Sequence, residues 1–415
     1  MDMTSQRLKL RPVEAAPAEH QGQRVLRLTD PLRLSEAVLF APVALVPVLS
    51  LLDGRHTFED IRAECKSRHG MDVSEEIYRA MVSSLEEAHF LEGDGFASWS
   101  ASLKDAYLSA PVRPAFLAGK SYDADPTLLR SHIDGFFTGA DGPGMPVKNL
   151  SSPAKPLRGL VAPHIDFHRG GATFAWAYKS VAEQADADLF VVLGTVHAPT
   201  KYIYNLTAKS FETPFGVLET DAGFVEQLSE KLTVNSFQDE FAHRGEHSIE
   251  FQAVFLQYLF ADARPVQFAP ILVGSFHPFV AERRSPRGDA QVETFVAALK
   301  ETIAAHRQNG GKVCLIASVD FAHVGPQFGD ESPVDEARLE GLARADGKSL
   351  EAVCGGDAEA FYWSVAEDGD ARNVCGLAPV YTMLRVLDDC EGEVLRYSQW
   401  PDPNGTVTFS SVALT

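Results

Sequence analysis

From Leu157 onward, short continuous apolar runs alternate with longer segments whose apolar residues recur at helical spacing. The runs ending at Ala162, Leu189 to Leu193, Val266 to Val273 and Val313 to Ser318 show no in-out alternation, so each predicts a strand buried on both faces. Between them, helices are predicted at Ala172 to Ala185, Ala222 to Lys231, Glu246 to about Phe260 and Gly288 to His306. Further helices are predicted near Asp335 to Gly347, Ala358 to Glu367 and Val380 to Leu387. Phe211 to Asp221 reads as a hairpin, and the chain ends in two strands, Gly392 to Gln399 and Thr406 to Ala413. This alternation predicts an α/β fold with a mostly parallel central sheet flanked by helices.

The first hundred residues have a different grain. Val25 to Leu28 and Ala37 to Phe40 predict short strands, and Pro42 to Leu52 a buried helix before the Asp53-Gly54 turn. Thr57 and Asp60 have capping-box spacing ahead of a helix from Phe58 to His69. Ile77, Met81, Leu85 and Ala88 mark the buried face of the next helix, closed by Phe90 to Gly93. The order predicts a small α+β winged-helix domain over residues 1–100. Residues 101–113 read as a linker with a short helix at Ser102 to Leu108, and residues 114–415 as the α/β domain. Asp125 is placed to cap a helix with Pro126 in its first turn and Leu128, Leu129, Ile133 and Phe136 on one face. Gly139 to Pro156, rich in Gly, Pro and Ser, reads as an exposed loop.

Composition narrows the function classes. The 415 residues carry a formal charge of -20, and residues 1–100 hold 11 Lys and Arg against 16 Asp and Glu. A nucleic-acid partner needs a basic footprint, so neither the chain nor its winged-helix segment is expected to bind nucleic acid. No apolar run reaches the roughly 18 to 20 residues of a membrane span, and the polar amino terminus lacks a signal-peptide core. The protein is expected in the cytoplasm. Five widely spaced cysteines, Cys65, Cys314, Cys354, Cys375 and Cys390, fit reduced thiols.

The candidate chemistry lies where the strands end. Leu160 to Ala162 runs through Pro163 into His164, Leu189 to Leu193 runs into His197, and Val313 to Ser318 into Asp320 and His323. Open α/β sheets collect ligands at the carboxyl ends of their strands, so these groups are expected to share a pocket. One histidine at a strand end is ordinarily just a hydrogen-bonded residue, and a cysteine before glycine a small buried hydrophobe. Repetition changes that reading. His164, His197, His247, His323 and Cys375 form a set of lone-pair donors at element ends that suits a metal. His168 is assigned a peripheral place, because Gly170 and Gly171 argue against a regular helix there.

Ala162-Pro-His164, Gly194-Thr-Val-His197, Glu246-His247-Ser248-Ile-Glu250, Ser318-Val-Asp320-Phe-Ala-His323 and Cys375-Gly376 follow one another as in the Memo family, which this chain resembles over about residues 113–415. Ala118-Gly119, Tyr122 and Asp125-Pro126 match its opening segment, and the arrangement is similar to the B protein of the AmmeMemoRadiSam system. The resemblance implies a fold like the class III extradiol dioxygenases, with His164, His197 and Cys375 as metal ligands and His247, Asp320 and His323 lining the pocket. The chain departs from the family in having Thr195-Val-His197-Ala198 where many members have Pro-Ser-His-His. Leu51 to Gly54, Thr57 to Ile61 and Phe90 to Gly93 resemble PqqD-like domains, peptide binders in radical-SAM peptide modification that use a strand edge beside a helix.

Two functions are open on this reading. In the first, two histidines and the Cys375 thiolate hold a divalent metal, Fe(II) foremost with Cu or Zn as alternatives, and leave positions for dioxygen or substrate. His323 held by Asp320, or His247 held by Glu250, would then act as acid or base on a small molecule or peptide. In the second, the pocket recognises a peptide or partner without turnover. The PqqD-like resemblance implies a radical-SAM enzyme and companion proteins as partners in either case.

Overall fold

The computed structural model describes residues 3–147 and 155–415. Residues 148–154 of the expected Gly139 to Pro156 loop lie outside the described residues. The chain divides into two compact units, Met1–Ser109 and Ala110–Thr415.

The large unit is built on an eight-stranded sheet. Its strands are β1 (Gly159–Ala162), β2 (Leu189–Thr195), β3 (Tyr204–Leu206), β4 (Gln267–Val273), β5 (Val313–Ser318), β6 (His323–Val324), β7 (Gly392–Trp400) and β8 (Thr406–Leu414). They lie in the order β6-β8-β1-β5-β2-β4-β3, with β7 on β8. Strands β1, β5, β2 and β4 are mutually parallel, whereas β3, β6, β7 and β8 pair antiparallel. The sheet is therefore mixed, parallel at its centre only. The cause is local: a short turn between β7 and β8 permits only antiparallel pairing, while each parallel neighbour needs a helical crossover.

Every residue of β2 and β5 is buried. Along β2, Val191 and Leu193 join one apolar cluster and Phe190 and Val192 the other, so successive side chains feed opposite layers. The Ala290–Gln308, Ala358–Ala366 and Leu377–Leu387 helices cover one face; Pro126–Thr138, Phe167–Gln184 and His247–Phe260 cover the other.

Three local expectations change. The helix after His164 starts at Phe167 and includes His168, Gly170 and Gly171. Those glycines serve close packing: a Cβ at Gly170 would strike Ile165, and one at Gly171 the Phe136 ring. The expected 101–113 linker is largely occupied by a helix spanning Asp94–Ser109. Two buried faces are also met only in part: Leu85, Ala88, Leu129 and Ile133 are buried as expected, but their neighbours shift by one residue. Tyr78, Val82 and Leu85 face inward while Ile77 is exposed, and Leu129, Ile133 and Phe137 are buried while Leu128 is exposed.

The small unit has its own core, including Phe58, Ile61, Tyr78, Val82, Leu85 and Phe90. A three-stranded antiparallel sheet, Glu14–His20, Gln23–Thr29 and Leu39–Pro42, precedes the helices Phe58–His69 and Glu75–Glu87. Thr57 and Asp60 form the capping box, and Gly70 ends that helix in the left-handed conformation. Among the described residues no helix is long and apolar enough to cross a membrane.

Candidate metal centre

Strand β1 stops at Pro163, which cannot donate to a ladder, and the next residue is His164, only 2% exposed. Its Nδ1 lies 3.0 Å from the Ser318 carbonyl at the end of β5, and its backbone N–H donates to Asp320 Oδ1 at 3.0 Å. A carbonyl can only accept, so Nδ1 carries the proton and Nε2 presents its lone pair. Burial, and then the charges of His247 and His197, hold the His164 pKa well below its usual value, so the ring stays neutral.

His197 follows β2, and His247 begins the His247–Phe260 helix. One carboxylate organises both. Glu246 is the N-cap of that helix and accepts from the backbone N–H groups of His247 and Ser248. The same carboxylate accepts from the His197 backbone at 2.9 Å and lies 3.0 Å from Nδ1 of both His197 and His247. Burial opposes its charge, but the two imidazoles and their hydrogen bonds outweigh it and keep Glu246 ionised to well below the ordinary carboxylate range. With Nδ1–H turned to Glu246, these two rings also present Nε2 lone pairs.

The three rings converge. Centroids of His164 and His197 are 5.2 Å apart, those of His164 and His247 5.0 Å, and those of His197 and His247 4.7 Å. One ligand nitrogen from each lies within 4.8 Å of the others, close enough for a single ion to be held by all three. Burial falls from His164 through His247 to the exposed His197, so the group is reachable from solvent on the His197 side.

The other expected residues take these places. Cys375 Sγ lies 3.4 Å from His164 Nε2 and 3.3 Å from the Asp320 carbonyl, and burial raises its thiol well above the usual range. Asp320 turns towards the His164 turn, accepting from the N–H groups of His164 and Ile165, with Oδ2 3.7 Å from His164 Nε2. Burial pushes its pKa up to about 7. His323 has its Nδ1 3.2 Å from the Phe321 carbonyl, and burial takes its pKa down to about 4. The carboxylate expected on His247 was Glu250, but Glu250 is engaged by Arg113, Tyr122 and the Leu117 backbone. His168 lines a cavity of about 780 Å³ with Tyr122 and Phe167, and its ring meets Trp400 at 5.9 Å.

The family model of the Memo-like protein matches residues 113–414. The chain belongs to the Memo family. A MEMO1 family protein of Methanopyrus kandleri is 30% identical over 297 residues, covering 71% of this chain and 94% of the relative. A MEMO1 family protein of Aquifex aeolicus is 27% identical over 376 residues, 89% of each chain. One of Thermus thermophilus is 27% identical over 347 residues, 83% of this chain and 94% of the relative. The last two alignments are too long for residues 110–415 alone, so they reach into the amino-terminal unit.

Within this Memo chain, the residue that sequence reasoning missed is Glu246. Its signal was available: an acidic residue directly before the first residue of a helix is an N-cap, and here the first residue is His247. Ser318 was also missed, and no pattern could reveal it, because it acts through its backbone carbonyl.

Proposed function

We propose that this Memo-family protein is a non-heme metal protein in which His164, His197 and His247 hold one divalent ion, with Cys375 as a further donor. The observation that carries the proposal is that all three Nδ1 nitrogens are tied to oxygens, at Ser318 and Glu246, which turns three Nε2 lone pairs into one space. Carboxylate and carbonyl partners of this kind fix the tautomer and orientation of metal-bound histidines. Imidazole donors suit iron, copper and zinc, and the nearby thiol adds affinity for the softer ions. Fe(II) is the ion of choice for a redox or oxygen-dependent reaction on a small molecule or peptide.

When bound, the metal would supply open positions for dioxygen or a substrate oxygen. The chain's own residues do the rest. His164 is kept neutral by burial, so it needs no deprotonation before it can ligate. Glu246 supplies one fixed negative charge against the two more accessible imidazoles. Asp320, with a pKa near neutrality and a carboxylate beside His164, can give or take a proton there. His323, neutral at pH 7, is the second acid/base group. A mixed sheet with its histidines at the ends of parallel strands supports the likeness to class III extradiol dioxygenases, which remains part of this proposal.

A binding role for the amino-terminal unit complements this one. Leu39–Pro42 is an edge strand without charge, and Leu32, Val38, Phe40 and Val43 around it are exposed. The opposite edge, Glu14–His20, carries two glutamates and Pro17, which protect it from pairing. An open apolar edge supports the PqqD-like, winged-helix reading, in which a peptide joins the sheet and a radical-SAM enzyme is the partner. In the alternative, a scaffold without turnover, the pocket at the histidines recognises a peptide or partner.

The test is anaerobic purification followed by elemental analysis of the wild type and of His164→Ala, His247→Ala and Cys375→Ser. Metal at one equivalent, lost in both histidine variants, is expected. Full metal content in His164→Ala sinks the assignment. Full content in His247→Ala with loss in Cys375→Ser would move the third ligand to the thiolate. Dioxygen uptake by the loaded protein separates the enzyme from the scaffold.

A further inference from the structure

At the amino-terminal ends of β1 and β5, opposite the histidines, a cleft of about 410 Å³ lies between the Ala290–Gln308 and Leu377–Leu387 helices. Lys300, Ile303, Ala304 and Arg307 line it from one helix at the i, i+3, i+4, i+7 spacing of a single face. Arg158, just before β1, enters from the other side, and Leu315, Val386 and Leu387 give an apolar floor.

The charges in this cleft are unbalanced in a chain whose net charge is -20. Lys300 pairs with Asp388 at 2.6 Å. The two guanidiniums have no such partner. Arg158 donates to the carbonyls of Asp389 and Leu387, and among the described residues neither arginine forms an ion pair with a carboxylate. Partial burial and the Arg158 charge both lower the Arg307 pKa, the signature of two like charges facing one space. With Asp388 cancelling Lys300, two positive charges remain over an apolar floor.

We propose that this cleft binds a phosphate monoester with an apolar body, its head between Arg158, Lys300 and Arg307 and its body on Ile303, Leu315 and Val386. A phosphate monoester carries about -1.5 to -2 at pH 7, which matches the uncompensated charge. The volume falls within the range of small-molecule sites, roughly 300 to 1,000 Å³. Guanidiniums suit phosphate because their planar donors meet two oxygens at once. The site is separate from the histidine cluster and independent of whether a metal is bound there.

Isothermal titration of the full chain with phenyl phosphate, and with inorganic phosphate for comparison, tests this. One saturable site is expected, tighter for phenyl phosphate, weakened by added salt and weakened about tenfold or more by Arg307→Ala or Lys300→Ala, the scale of one charge-assisted hydrogen bond. Both side chains reach solvent, so neither variant threatens the fold; His164→Ala should bind phenyl phosphate as the wild type does. The proposal is overturned by no saturable binding at millimolar phenyl phosphate, by affinity unchanged in both cleft variants, or by loss of binding in His164→Ala, which would place the anion at the histidines.

Discussion

Replacing Glu246 by Gln removes one charge and keeps the shape of the side chain. The carboxylate receives five N–H groups: the backbones of His197, His247 and Ser248, and Nδ1 of both rings. An amide has a single acceptor oxygen. If that oxygen takes the Oε1 place, the NH2 group faces the His197 N–H at 2.9 Å, donor against donor. His197 must then move, and the Nε2 lone pair of its ring moves with it. Loss of such an orienting partner costs about 10- to 100-fold in metal affinity, or about 1.4 to 2.7 kcal/mol. The buried donor left unpaired costs about 1 to 3 kcal/mol of folding stability. Anaerobic competition against a chromophoric chelator, with Fe(II) and Zn(II) separately, measures the first quantity, and urea denaturation the second. A folded Glu246→Gln protein that binds both ions as tightly as the wild type would refute the argument that Glu246 aims the two rings.

Three further outcomes are expected. His243 is 1% exposed with Nε2 3.0 Å from the Asn205 carbonyl, and burial lowers its pKa from 6.5 to about 3. The unfolded chain takes up that proton first, so this stability is complete above pH 6.5 and is lost as pH falls towards 3. The loss amounts to about 1.4 kcal/mol by about pH 5.5, and urea denaturation of His243→Gln should show a correspondingly flatter acid limb. Gly171→Ala should lower stability by about 1 to 3 kcal/mol in a thermal or urea melt, because the new methyl meets the Phe136 ring; an unchanged midpoint would mean that the ring moves freely. Residues 1–109 expressed alone should unfold cooperatively by circular dichroism, since the unit holds its own core and helix caps; a disordered spectrum would show that it depends on the large unit.

Much of this protein is legible along the chain, and the reason is that it is local. Strands buried on both faces appear as unbroken apolar runs, and three of the site residues, His164, His197 and Asp320, stand just past such runs. Helix starts at Thr57 and Asp125 are legible because a cap acts within three residues of itself. The pairing of site residues is not local. Glu246 reaches back 49 positions to His197, and Asp320 reaches back 156 to the His164 backbone. Asp320 with His323, and His247 with Glu250, are near neighbours in sequence and look like partners, but chain direction turns each carboxylate elsewhere. Gly170 and Gly171 look like helix breakers until Ile165 and Phe136 pack against them. Motif order alone could show that these histidines belong together; which oxygen orients each ring depended on three separate segments meeting at the ends of parallel strands.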